Sequence, residues 1–254
     1  MKQDRRRFLQ NLGLLSAVGG VPAGLVSGSP GDSKAAPAVP AEAFIYFTEP
    51  EVAFVEATLD RLIPTDELGP GARAAGVAVF IDRELAGAFG TLARGYRSGP
   101  WPEGTPEQGY QSRLTPQEVY RVAIAETDGH CQERYGKRFA QLEGTEQDEV
   151  LNGLDAGTLA LASVPSSLFF SLLWANVQEG FFADPLYGGN RDKAGWRLVG
   201  FPGVAAVYSE QIEQHGVPYR AEPVSIADLQ AKRVQVDAHG HPVHTMASGQ
   251  DRGR

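Results

Sequence analysis

Apolar side chains recur along this chain at intervals of three and four, the spacing that gathers them on one face of a helix. Thr48-Glu49-Pro50-Glu51 has the form of a capping box with proline in the first turn. Val52, Val55, Leu59, Leu62 and Ile63 follow at helical spacing until Pro64 stops the run. Phe80, Ile81, Leu85 and Phe89 predict a second helix over Val77–Leu92. Thr115-Pro116-Gln117-Glu118 opens a third that extends toward Leu142, with Tyr120, Ile124, Cys131 and Tyr135 on one face. Thr145-Glu146-Gln147-Asp148 begins a fourth carrying Val150, Leu151, Leu154 and Leu161.

The next run, Leu168 to Ala175, is apolar nearly all round and belongs in the middle of a domain, packed on every side. Val204, Val207, Tyr208 and Ile212 predict a last long helix over Val204–His215, with their side chains inward. Ser225-Ile226-Ala227-Asp228 caps a short helical turn. Val234-Gln235-Val236 alternates into Asp237-Ala238-His239-Gly240 and returns through Pro242-Val243, which reads as a small β-hairpin. The expected fold is mainly α: a single helical domain over residues 39–254, with long ordered loops and a small C-terminal β-hairpin.

Composition narrows the functional classes. The chain has 254 residues, 42% of them hydrophobic, which is ample for a core and excludes disorder for most of its length. Its net charge of −8 argues against nucleic acid as a partner, since phosphate binding needs clustered Lys and Arg. One cysteine excludes a disulfide framework, a Cys-rich zinc site and an iron–sulfur cluster.

Charge is unevenly spread. Lys2, Arg5, Arg6 and Arg7 precede an uncharged run from Phe8 to Gly31, whose apolar middle is diluted by glycine and serine. A basic head, a weakly hydrophobic middle and a small-residue exit describe an export signal. Arg5 and Arg6 followed by Phe8 and Leu9 resemble a twin-arginine signal, with Gln10 where lysine is usual. Residues 1–38 are therefore expected to be a leader and linker, and the mature protein to be periplasmic. Ala36-Pro37-Ala38 is one candidate cleavage point. Removing residues 1–38 takes away five bases (Lys2, Arg5, Arg6, Arg7, Lys34) and two acids (Asp4, Asp32), leaving −11.

Familiar catalytic motifs are missing from the sequence. There is no G-x-G-x-x-G, no C-x-x-C-H for covalent haem and no G-x-S-x-G elbow. Cys131 reads as a small buried hydrophobe rather than a reactive thiol. His239, His241 and His244 could bind a metal, although polar residues on an exposed hairpin are the plainer reading. Trp101, in a Pro-rich loop, and the run Phe44-Ile45-Tyr46-Phe47 are candidates for partner contact.

One segment stands apart, Phe181 to Gly203. Asp184-Pro185 favours a turn, and Gly188-Gly189-Asn190 suits positive φ or close backbone approach. Asn190 is placed to cap a short turn through Lys193, and Arg191 to close the loop on Asp184 with a charge-assisted hydrogen bond. Such a loop braces a scaffold or meets a ligand.

This segment, with Asp184, Gly188, Gly189, Asn190, Arg191, Trp196 and Gly203 in order, resembles the fingerprint of the gluconate 2-dehydrogenase subunit 3 family. Arg61-Leu62-Ile63-Pro64 through Gly76-Val77 resembles the same family's early helix and Pro-Gly-Ala loop, and the likeness runs from about Thr48 to Val217. The resemblance implies a small accessory subunit with no catalytic, cofactor-binding or metal-binding residues of its own. Its implied partners are a flavoprotein of the glucose–methanol–choline type carrying FAD, commonly a cytochrome subunit carrying haem c, and the twin-arginine translocase. An independent enzyme using the Asp184–Trp196 loop, or a metal-binding module using the terminal histidines, are the alternatives.

Overall fold

The computed structural model describes residues 43–245, apart from 102–103, 106–107, 205–207 and 209–210. Its helices are α1 (Glu49–Leu62), α2 (Val77–Ala86), α3 (Pro116–Tyr135), α4 (Gly144–Asp155), α5 (Ser166–Phe182), α6 (Ala194–Val199) and α7 (Ile226–Gln230), with short 3-10 turns between some of them. Among the described residues, β pairing is confined to isolated bridges. The mainly α class expected from the spacing is what forms. Among the described residues, no helix is long and apolar enough to cross a membrane.

The core is built around α5, which packs against α2, α3 and α4 and meets α6 near its end. Phe169, Leu173, Val177 and Phe181 are fully enclosed on it. Burying a side chain of this size contributes about 1.5–3 kcal/mol. Aromatic rings tie the layers together: Phe54 of α1 lies 4.6 Å from Phe139, and Tyr120 of α3 meets Phe169 edge-on at 5.5 Å. Tyr120 is wholly buried, and its hydroxyl donates to Asn176 Oδ1 at 2.8 Å, which satisfies a polar group inside an apolar layer.

The helix starts follow their caps. Glu51 accepts from the Thr48 N–H at 2.8 Å, and Thr115 and Glu118 exchange the reciprocal bonds of a full capping box. Four ends differ from the periodic reading. The second helix stops at Ala86, because Gly87 leaves the helical region and residues 88–94 fold back in turns. The third stops at Tyr135, where Gly136 at φ +71° forms a left-handed cap. The fourth begins at Gly144 with Glu143 as its cap and ends at Asp155, leaving Leu161 outside it.

The helix expected over Val204–His215 is the largest correction. Residues 205–207 and 209–210 lie outside the described residues. Gln211 to Gly216 form turns, and Tyr208 and Ile212 are exposed rather than inward. Val204 instead donates its N–H to the Val224 carbonyl at 2.7 Å, drawing the chain alongside a distant segment. The C-terminal hairpin does not form as two strands. A single antiparallel bridge joins Val236 and Pro242, held by Asp237 accepting from the His239 and His241 amides. Val236 and Val243 are exposed, so no buried face extends the pairing.

Candidate functional site

The loop that follows α5 is built from main-chain groups satisfied by a few buried polar side chains. Asp184 caps the turn Pro185–Tyr187 by accepting from the Leu186 N–H at 2.9 Å. Its other oxygen accepts from the Ile226 N–H at 2.6 Å, with Ala227 at 3.4 Å from the first. One carboxylate therefore serves two orphan helix starts, and fastens α7 to the loop across 42 residues of chain.

Gly188 takes φ +100°, outside the range of ordinary side chains. Gly189 crosses α5 so closely that a Cβ there would collide with the Gly180 carbonyl oxygen. Asn190 then sits with none of its surface exposed, at φ +47°. Its Nδ2 donates to the Ala183 carbonyl at 2.8 Å and its Oδ1 accepts from the Gly195 N–H at 2.8 Å. It bridges the two ends of the loop rather than capping the Arg191–Lys193 turn through its side chain. Trp196, 6% exposed, donates from Nε1 to the Phe182 carbonyl at 2.7 Å and stacks edge-on with Phe201. Gly203, at φ +78°, pairs with Val224 in a parallel bridge too tight for any side chain.

Electrostatics lock the same region. Lys193 Nζ lies 2.8 Å from Asp228 Oδ2, and Arg233 lies 3.0 Å from Asp228 Oδ1. Burial pushes the Asp228 carboxyl up, but hydrogen bonds from Lys193, Ser225 and Arg233 outweigh it and hold the group well below the usual carboxylate range. Ser225 caps α7 as its sequence predicts, accepting from the Asp228 N–H at 3.0 Å. The Lys193–Asp228–Arg233 cluster could not be read from the sequence, because Lys193 lies 35 residues from Asp228. Asn190, Asp192 and Lys193 all hold positive φ, a concentration of left-handed backbone that only surrounding bonds can maintain.

The Arg191–Asp184 bond expected from the sequence is not how the loop closes. Asp184 is engaged by backbone amides, while Arg191 donates its N–H to the Ala75 carbonyl at 2.8 Å. Its guanidinium lies against Gly76, so the loop docks on the turn before α2. Trp101 is 38% exposed in the loop between α2 and α3, apart in sequence from the bracing network. Among the described residues, no group of three or more His, Cys, Asp or Glu converges as a metal site. His244 faces the Val204 carbonyl at 2.9 Å. Cys131 is buried, and burial with the nearby Asp128 carboxylate pushes its thiol up to about 12. The export-signal residues Arg5, Arg6, Phe8 and Leu9 lie outside the described residues.

In the run Phe44–Phe47, a candidate for contact with a neighbour, the backbone of residues 45–47 is fastened to its own body and Phe47 is buried, while the Ile45 side chain is 73% exposed. Asp82, 1% exposed, accepts from the Ile45, Tyr46 and Phe47 amides at 2.7, 3.0 and 2.8 Å. The sequence carried one signal for Asp82, an acid beside Ile81 on the apolar face of a helix, and periodicity alone assigned it no partner. Near this segment a groove of about 570 Å³ opens between the start of α1 and α3, with Pro50, Ile124 and Asp128 among its walls. It lies apart from the loop network just described.

These features define a mainly helical domain whose buried polar side chains hold a glycine-rich loop in one conformation. The polar atoms of Asp184, Asn190 and Trp196 are all bonded to main-chain groups, so the arrangement braces a scaffold. The chain belongs to the gluconate 2-dehydrogenase subunit 3 family: the family's sequence model matches residues 49–203, more than half of the chain. The match begins at the first residue of α1 and ends at Gly203, the last residue of the loop. That membership makes it an accessory subunit of a multi-subunit dehydrogenase complex. No curated protein and no solved structure matches the chain.

Proposed function

We propose that this chain is the non-catalytic small subunit of an exported, FAD-dependent sugar or sugar-acid dehydrogenase. It binds the flavoprotein subunit, assists its maturation and carries it in folded form through the twin-arginine route to the periplasm. FAD resides on that partner, which is of the glucose–methanol–choline type, and a cytochrome subunit with haem c receives the electrons. The observation that carries this reading is the family match over residues 49–203. The twin-arginine-like order Arg5-Arg6-Arg7-Phe8-Leu9 ahead of that match supports the export role.

The test follows the partner. Arg5→Lys with Arg6→Lys is expected to leave both chains in the cytoplasm and abolish flavoprotein activity in the periplasm. Pull-down of the wild-type chain is expected to bring the flavoprotein with it. A neighbouring flavoprotein that is exported and active in the absence of this chain would overturn the proposal.

A further inference from the structure

We propose that residues 45–47 form a folding-dependent strap, closed by Asp82, that sets the limit of amino-terminal processing: the leader can be cut away upstream of Phe44 but not within the strap. The inference rests on reading residues 1–38 as an export leader.

The strap is held from two directions. The Asp82 carboxylate, projecting from α2, takes three successive main-chain N–H groups. A carboxylate accepting several backbone amides makes the stronger, charge-assisted kind of hydrogen bond. From the α3 side, Tyr46 donates its hydroxyl to the Gln117 carbonyl at 2.6 Å. The Arg121 guanidinium stacks 4.4 Å above the Tyr46 ring, donates to the Tyr46 carbonyl at 3.1 Å, and pairs with Glu51. Phe47 is buried beneath, against Tyr46 and Tyr120.

Processing enzymes bind a cleavable segment as an extended strand through its main-chain hydrogen bonds, and a closed segment must first open to be cut. In residues 45–47 every N–H is already taken by Asp82, and the bonds to it come from a helix more than thirty residues away in sequence. The strap therefore closes only once α2 and α3 are in place. The leader joins the chain directly upstream, so removing it leaves these contacts whole. Cutting inside the strap would release Phe47 from the core and expose the start of α1.

The experiment uses the full chain, leader included, digested with proteinase K and read by intact mass. Cuts are expected to accumulate upstream of Ile45, with bonds from Ile45 to Thr48 cleaved at least tenfold more slowly. Asp82→Ala is expected to raise cleavage in the strap at least tenfold while cuts elsewhere keep their rates. Should circular dichroism show Asp82→Ala to be unfolded, Tyr46→Phe, which removes only the Gln117 bond, takes its place with an expected rise of several-fold. Strap bonds cut as fast as the upstream chain in the wild type, or no acceleration in the folded variant, would sink the strap. In cells, the exported chain is expected to begin at Phe44 or earlier, and a mature terminus at Ile45 or beyond refutes it. If Arg5→Lys with Arg6→Lys leaves localisation unchanged, the export reading fails, while the digestion pattern still judges the strap.

Discussion

Asn190 offers the sharpest test of the bracing role of the loop, because three substitutions separate its hydrogen bonds from its backbone conformation. The side chain is fully buried and joins the Ala183 carbonyl to the Gly195 N–H. Asn190→Ala deletes both bonds and leaves both main-chain groups without partners. An orphaned buried group costs about 1–3 kcal/mol, so the pair costs about 2–6 kcal/mol. Alanine at φ +47° adds roughly 1 kcal/mol of left-handed strain, which asparagine tolerates better. The total expected is about 3–7 kcal/mol, a large share of the ~5–15 kcal/mol that holds a typical domain together. Asn190→Gly loses the same bonds and removes the strain, but gives the unfolded chain about 0.4–1 kcal/mol of extra entropy. It should be milder than alanine by at most about 0.6 kcal/mol on balance of those terms. Asn190→Asp keeps an acceptor for Gly195 but sets a carboxylate against the Ala183 carbonyl, and should be at least as damaging as glycine. Urea unfolding followed by circular dichroism measures all three. A loss under about 1 kcal/mol for alanine, or a glycine variant less stable than alanine, would refute the account.

Three further outcomes follow from the same geometry. Gly189→Ala should prevent the loop from docking, because its Cβ would meet the Gly180 carbonyl, whereas Gly200→Ala, at φ +72° with open space around it, should cost only about 1 kcal/mol; thermal melts compare them. The depressed Asp228 carboxyl contributes stability that is fully present above the unfolded value of about 4 and is lost as pH falls toward the folded one. The wild-type melting temperature should therefore drop more between pH 6 and pH 3 than that of Asp228→Asn, and parallel curves would count against the cluster. Cys131, raised to about 12 by burial and Asp128, should resist iodoacetamide in the native chain at pH 8 and react in urea, as mass spectrometry would show; rapid native labelling would contradict the burial.

Much of the fold was legible because helix signals are local. Thr48 and Thr115 start their helices through partners three residues away, and Ser225 starts α7 in the same way. Helix ends were less legible. Gly87 and Gly136 end helices whose apolar spacing continues beyond them, so periodicity overran both. The Val204–His215 reading failed at its described positions: at the start, an apolar pattern of helical period was overridden by the pairing of Gly203 and Val204 with Val224, and residues 211–216 form turns.

In the loop, composition alone marked Gly188, Gly189 and Asn190 as backbone of unusual geometry, and the structure gives each of them that role. The partners were another matter. Asp184 suggested a turn, which it makes with Leu186, but its second use on α7 and the displacement of Arg191 to Ala75 depend on elements packed from elsewhere. Asp82 is the extreme case, an acid on an apolar face whose meaning lies wholly in three amides 35 to 37 residues upstream.

The sequence by itself determined the helical class, most helix starts, the central place of α5 and the family fingerprint, because periodicity, capping and glycine chemistry act over a few residues. Only the tertiary structure decided which buried carboxylate serves which amides, where the chain leaves its helical path, and that the backbone of residues 45–47 is fastened to Asp82. Those outcomes turn on desolvation: a polar group taken out of water must find a partner, and which partner it finds is set by packing between segments that are remote along the chain.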